Sequence, residues 1–270
     1  NDSEITFNFS NKTDSGLTIG LVTELQADDG DTDIDESSLS ISGGFGKIVL
    51  GNNDFVGDNY GVSSTDLPAE EIYQTGVDSL AILGADITDA AGGDNNKVAY
   101  HLPAMGGLTA GISFADSGAT GSSDSTAIGA RYGMSAGGAA VTLGFATVTT
   151  EDATQDIDSQ VVGVKVASGN ITAALSQATY EASGADEEST GAAVSFKVSD
   201  AMTITVHTAK SEDSAEKDEH TNTGAELVYT VAPGLSAYVN IEDFDYKVGT
   251  SSGTTADSGT VSKLTIKATF

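Results

Sequence analysis

The sequence predicts an all-β chain that crosses a membrane as an antiparallel barrel, and three observations carry that prediction. Apolar residues recur at every second position along most of the 270 residues. The face opposite them is built from Ser, Thr, Gly, Lys and Glu. The segments joining these alternating stretches are by turns short and long, which matches barrels with tight turns on one side of the membrane and loops on the other. A soluble sandwich or propeller does not require that alternation.

Fifteen strands are expected, at 3–11, 17–26, 36–42, 46–52, 95–102, 108–116, 124–132, 139–150, 157–167, 171–180, 189–199, 201–211, 221–231, 235–247 and 260–270. The phase is clearest at Ile5, Phe7 and Phe9, at Val141, Leu143 and Phe145, and at Met202, Ile204 and Val206. Most of these runs reach the roughly 9–11 residues that a tilted strand needs to cross a bilayer. Short connections include Lys12–Gly16, Gly43–Phe45, Pro103–Gly107, Ser168–Asn170 and Ala232–Gly234. Long ones lie at 27–35, 53–94, 117–123, 151–156, 181–188, 212–220 and 248–259. Nothing repeats at 20–50 residues, so residues 1–270 read as a single β-barrel domain.

Composition narrows the function classes. The chain has 32 Gly and only 3 Pro, and no apolar run approaches the roughly 18 residues of a membrane helix. With 40 Asp and Glu against 11 Lys and Arg, the formal charge is −29, which repels phosphate backbones and makes nucleic acid an unsuitable partner. There is no Cys, hence no disulfide, thiolate metal site or thiol nucleophile.

Basic residues fall in the polar phase of their strands, so Lys47, Lys97, Arg131, Lys165, Lys197, Lys263 and Lys267 are expected to face the barrel interior. The carboxylates Asp29, Asp31, Asp33 and Asp35 alternate within one loop and offer the oxygen ligands that suit Ca²⁺, although the spacing is not that of an EF-hand. The competing reading is a solvated acidic loop. His101, His207 and His220 are too scattered for a two-histidine metal motif. Gly133-Met134-Ser135-Ala136-Gly137 matches a nucleophile-elbow pattern, but a strand follows where a helix is needed, so it reads as a glycine-rich turn. No catalytic residue is expected, no cofactor is required, and Ca²⁺ is the one ion the pattern suggests.

The chain closes on Lys263-Leu264-Thr265-Ile266-Lys267-Ala268-Thr269-Phe270, an alternating strand ended by Phe that resembles the C-terminal strand of outer-membrane barrels. Thr13-Asp14-Ser15-Gly16-Leu17 before a strand, and Gly44-Phe45-Gly46-Lys47-Ile48-Val49-Leu50-Gly51-Asn52-Asn53-Asp54-Phe55 before a long loop, resemble the general-diffusion porins of alphaproteobacteria. The resemblance implies a homotrimer of 16-stranded barrels in the bacterial outer membrane. It would be surrounded by lipid and lipopolysaccharide, and would pass small hydrophilic solutes and cations. A closed bacterial barrel has an even number of strands, so a first strand upstream of Asn1 is expected in addition to the fifteen.

The resemblance also implies that the third external loop, here 53–94, folds inward and narrows the pore. That segment holds nine acids and no Lys or Arg. Asp66, Glu70, Glu71, Asp78 and Asp86 are the expected pore-facing acids, and an acidic constriction favours cations. The family usually sets an arginine cluster opposite such a loop, whereas this chain has only Arg131. The alternative function is a secreted, acidic, Ca²⁺-stabilised β-rich surface or adhesion protein, which stays in aqueous buffer where a porin needs detergent.

Overall fold

The computed structural model describes residues 4–26, 33–67, 96–116, 124–151, 156–182, 185–214, 217–250 and 256–269. They form one antiparallel 15-stranded sheet whose strands follow one another in chain order. The strands are β1 (Glu4–Lys12), β2 (Thr18–Gln26), β3 (Asp33–Gly43), β4 (Gly46–Asn52) and β5 (Asn96–His101). There follow β6 (Leu108–Asp116), β7 (Asp124–Ala136), β8 (Ala139–Glu151), β9 (Asp156–Ser168) and β10 (Ile171–Ala182). The last five are β11 (Ala185–Ser199), β12 (Met202–Asp213), β13 (Glu219–Ala232), β14 (Leu235–Lys247) and β15 (Asp257–Ala268). Each of the fifteen expected strands is present, and Phe270 lies outside the described residues.

Two compact units divide the chain. The first comprises residues 1–61, 88–132 and 145–159, and the second comprises 62–87, 133–144 and 160–270. In both, the period-two pattern separates two unlike faces. One face exposes large apolar side chains: Phe9 is 59% exposed, Leu175 58% and Leu264 70%. The other buries small or polar ones, among them Ala99, Ser113, Ala127, Ala193 and Thr205. This is the inverse of a water-soluble sheet, which hides its large apolar side chains. It is the arrangement a strand adopts with lipid on one side and a polar interior on the other. Tyr132 and Tyr229 stand on the apolar face towards its short-turn edge, where aromatic girdles mark the interface with water.

Register makes the apolar band continuous. Phe196, Ile204, Leu227, Val239 and Leu264 lie directly opposite one another from β11 to β15. The turns on the short side are tight. At Gly137 (φ 60°) and Gly138 (φ 86°) both residues adopt left-handed backbone that side-chain-bearing residues avoid, and this closes the β7–β8 hairpin in two residues. Ser135 therefore lies within strand β7 rather than at a turn, and no helix follows it.

Beyond the apolar band the outward face turns polar. Glu219, at the long-loop end of β13, receives Lys210 Nζ at 2.8 Å and Lys247 Nζ at 2.7 Å. It lies more than 11 residues from the short turn after Ala232 and so stands beyond the bilayer crossing. The two ammonium groups hold its carboxyl down at about 2, against an ordinary 4.5. Because the folded value is depressed, the stability this cluster contributes is present above pH 4.5 and disappears as the pH falls from 4.5 towards 2. Melting in detergent should show Glu219→Gln less stable than the parent at pH 6, with the difference vanishing near pH 2. The difference should be small and weakened by salt, since the group is exposed.

Candidate functional site

The connection after β4 carries the functional interest because its described part, residues 53–67, runs along the inner face of the sheet. In the first unit three groups of the wall hold it. Lys97 Nζ donates to the Asn53 carbonyl at 2.9 Å, and the Val56 N–H donates to Ser113 Oγ at 3.1 Å. The Arg131 guanidinium donates to the Gly61 carbonyl. Between these points lies helix α1 (Val56–Tyr60), five residues long and too short to persist on its own. It is kept by burial, since Phe55, Val56 and Tyr60 are all within the packed interior. The Tyr60 hydroxyl meets His101 Nδ1 at 2.9 Å. Burial pushes the Tyr60 phenol above its ordinary pKa, so it keeps its proton, and the tautomer of His101 sets which of the two donates.

Close approach of the segment depends on glycines in the polar phase of the strands. A Cβ at Gly111 would stand 2.8 Å from the Tyr60 ring, and one at Gly129 would stand 2.7 Å from Tyr60 Cβ. In the second unit a Cβ at Gly163 would stand 1.9 Å from the Val62 carbonyl oxygen. There the Ser64 N–H donates to Ser176 Oγ at 2.8 Å. A 3-10 turn at Ser64–Asp66 closes on itself: Thr65 N–H donates to Ser63 Oγ at 3.1 Å, and Ser63 N–H donates to an Asp66 carboxylate oxygen at 3.2 Å.

Of the expected pore-facing acids, Asp66 is exposed and caps this turn, while Glu70, Glu71, Asp78 and Asp86 lie outside the described residues. The expected interior cations stand in the polar phase of their strands, in several environments. Lys47 is exposed opposite His101. Lys97 is buried and Arg131 half-buried, both holding the loop. Lys165 is half-buried, and Lys197 is exposed and paired with Asp200 at 2.8 Å. Lys263 is half-buried opposite Asn240, and Lys267 is exposed opposite Ser236. Asp29 and Asp31 lie outside the described residues; Asp33 and Asp35 belong to β3, with side chains that are likewise outside them. Among the described residues no group of three His, Asp or Glu side chains is arranged to hold a metal.

The loop anchors were missed in the reading from sequence, although one signal for them is visible there. Gly111, Gly129 and Gly163 fall at polar-phase positions inside strands, where a missing side chain marks close approach by another backbone.

The segment after the fourth strand packs on the polar face of strands whose opposite face exposes large apolar side chains, the two-faced pattern of transmembrane β-strands. A profile of the Gram-negative porins matches residues 1–249. The chain belongs to the Gram-negative porin family. As a porin it resides in the bacterial outer membrane and forms a channel there, and membership sets aside the secreted adhesion-type reading. No curated protein matches the chain in a sequence search.

Solved structures of other porins share its fold at low identity. The anion-selective porin of Comamonas acidovorans is 18% identical with a TM-score of 0.68, covering 100% of this chain and 90% of that one. OmpT of Vibrio cholerae, described in its trimer form, is 16% identical with a TM-score of 0.72, covering 99% and 91%. An engineered variant of the Rh. blastica porin is 18% identical with a TM-score of 0.70, covering 99% and 89%. At such identities the likeness carries the fold and not the selectivity.

Proposed function

We propose that this porin is a homotrimeric, water-filled channel that passes small hydrophilic solutes and prefers cations. The observation that carries the reading is the course of residues 53–67 over the inner face. This segment leads into a stretch whose charges are all negative, since 53–94 has nine acids and no Lys or Arg. Two of the wall cations that would oppose these acids, Lys97 and Arg131, are engaged with carbonyl groups of the same segment. Two cations do not offset nine carboxylates, and a passage lined by a net negative charge raises the local concentration of cations and lowers that of anions. The anion-selective Comamonas porin does not argue against this, because selectivity follows the charges at the narrowest point and not the fold. The trimeric form of OmpT favours a homotrimer here. Surrounding lipid and lipopolysaccharide follow from the outer-membrane setting, and no cofactor is needed for passive diffusion.

Reversal potentials in a KCl gradient test the selectivity. The parent channel should prefer K⁺, and the preference should weaken with salt as the Debye length falls from about 10 Å at 0.1 M to about 3 Å at 1 M. Replacing Glu70 and Glu71 by Gln and Asp78 by Asn together should reduce the potential at low salt. An unchanged value would remove this loop from the constriction.

A further inference from the structure

Charges in the polar phase of the strands are sorted by height, and towards the short turns they are cations. In the first unit Lys12 ends β1, and Lys47 lies just after the Gly43–Phe45 turn. In the second unit Lys165 lies shortly before Ser168, the last residue of β9, and Lys267 stands opposite Ser236 at the start of β14. Lys12, Lys47 and Lys267 are exposed and Lys165 is half-buried. Among the described residues none of the four belongs to an ion pair. The carboxylates in the short turns are Asp14 and Asp200, and Lys197 takes Asp200 at 2.8 Å.

Towards the long connections the sign reverses. Glu24 in the first unit, opposite Thr6, stands in the polar phase at that end, as do Asp213 and Asp257 in the second, opposite Glu187 and Tyr246. Lys97 is the exception, and it is buried against the Asn53 carbonyl. The connection 53–94 adds nine acids and no Lys or Arg on the same side. Along β15 alone, Lys267 and Asp257 share one face at the two ends of the strand, separated by roughly 33 Å of backbone. That is well beyond the Debye length of about 10 Å at 0.1 M, so the opposite charges do not cancel. An ion passing along this face meets two zones of opposite sign in turn.

We propose that the channel conducts asymmetrically, because Lys12, Lys47, Lys165 and Lys267 make a positive zone at its short-turn end, in series with the negative zone on the long-loop side. This goes beyond the cation-preferring reading and rests on it for the negative zone alone. Each zone concentrates its own counter-ions. When the long-loop side is electrically positive, cations leave the negative zone and anions leave the positive zone towards each other, so carriers accumulate between the two. Under the opposite polarity both are drawn apart and the middle is depleted. The current is therefore larger in the first direction, and the lysines set the difference.

The test records single-channel currents at equal and opposite voltages in symmetric KCl, for the parent, the K12Q/K47Q/K165Q/K267Q variant and the loop triple variant. Orientation is read in a Gly44→Cys background: the chain has no Cys, nothing lies within 4 Å of a Cβ added in this short turn, and a bulky impermeant thiol reagent reaches it from one side only. The parental current should be larger by about 1.5-fold with the long-loop side positive at 0.1 M, and equal in both directions at 1 M. The quadruple variant should be symmetric at both salts. Equal parental currents at 0.1 M, a larger current with the long-loop side negative, or an asymmetry that survives removal of the four lysines would overturn the proposal. If the quadruple variant does not insert, K47Q/K267Q carries the same test, with the asymmetry reduced or the proposal overturned. An unchanged reversal potential in the loop variant, beside an asymmetry that depends on the lysines, would refute the loop reading alone; cation preference with symmetric currents would refute this proposal alone.

Discussion

Replacing Ile204 by lysine is expected to destabilise the folded protein in a bilayer by about 2–4 kcal/mol, the cost of a cation on the lipid face near the midplane. The register selects this position. Ile204 lies in the row Phe196, Ile204, Leu227, Val239, Leu264, with another apolar row on either side: Val194, Val206, Ala225 and Ile241 on one, Ala237 and Ile266 on the other. These rows carry no charged side chain; the nearest polar tip is the hydroxyl of Tyr229, which sits between Met202 and Ala237 and cannot neutralise an ammonium. Leu143→Lys and Val194→Lys should behave in the same way, both residues being exposed on that face. Thr142→Lys, on the opposite face and half-buried, should cost far less. Thr205 is a poor control, because it is buried and its hydroxyl meets Ser195 Oγ at 2.7 Å. Urea titration of variants refolded in vesicles reads the difference; equal costs at Ile204 and Thr142, or a larger one at Thr142, would mean that the faces are misassigned.

Gly163→Val should lift the inward segment from the wall. The new Cβ would fall 1.9 Å from the Val62 carbonyl oxygen, a backbone atom that cannot rotate aside, so the loop itself has to move. Overpacking of this kind typically costs about 1–3 kcal/mol. The functional effect should be larger than the thermal one, because the displaced segment carries Ser64 away from Ser176 and alters the width of the passage. Single-channel conductance should change markedly in Gly163→Val and stay at the parental value in Gly44→Ala, where nothing lies within 4 Å of the added methyl. Parental conductance in both variants would show that residues 62–66 do not narrow the channel.

How much of this was legible beforehand follows from the length scale of each feature. A strand with one face in lipid writes its phase every second residue, so the faces of Ile204 and Leu143 could be read directly from the chain. The outer ends of the strands could not. β11 begins at Ala185 and β13 at Glu219, in acidic stretches without β propensity that the backbone ladder nevertheless carries on. Helix α1 is a single turn, below the length at which periodicity appears.

At the site, the inward placement of Lys97 and Arg131 follows from phase. Their engagement with Asn53 and Gly61 depends on where a distant loop comes to rest, which no local pattern encodes.

As proposed, this chain makes an aqueous, selective passage through a membrane. Detergent-purified protein added to a planar bilayer separating unequal KCl solutions tests it most directly. The expected record is a series of stepwise insertions, each of ohmic conductance that grows with salt, and a reversal potential of the sign given by K⁺ permeation. Protein that stays folded in aqueous buffer and produces no steps, or steps whose reversal potential has the sign of Cl⁻ permeation, would contradict the account.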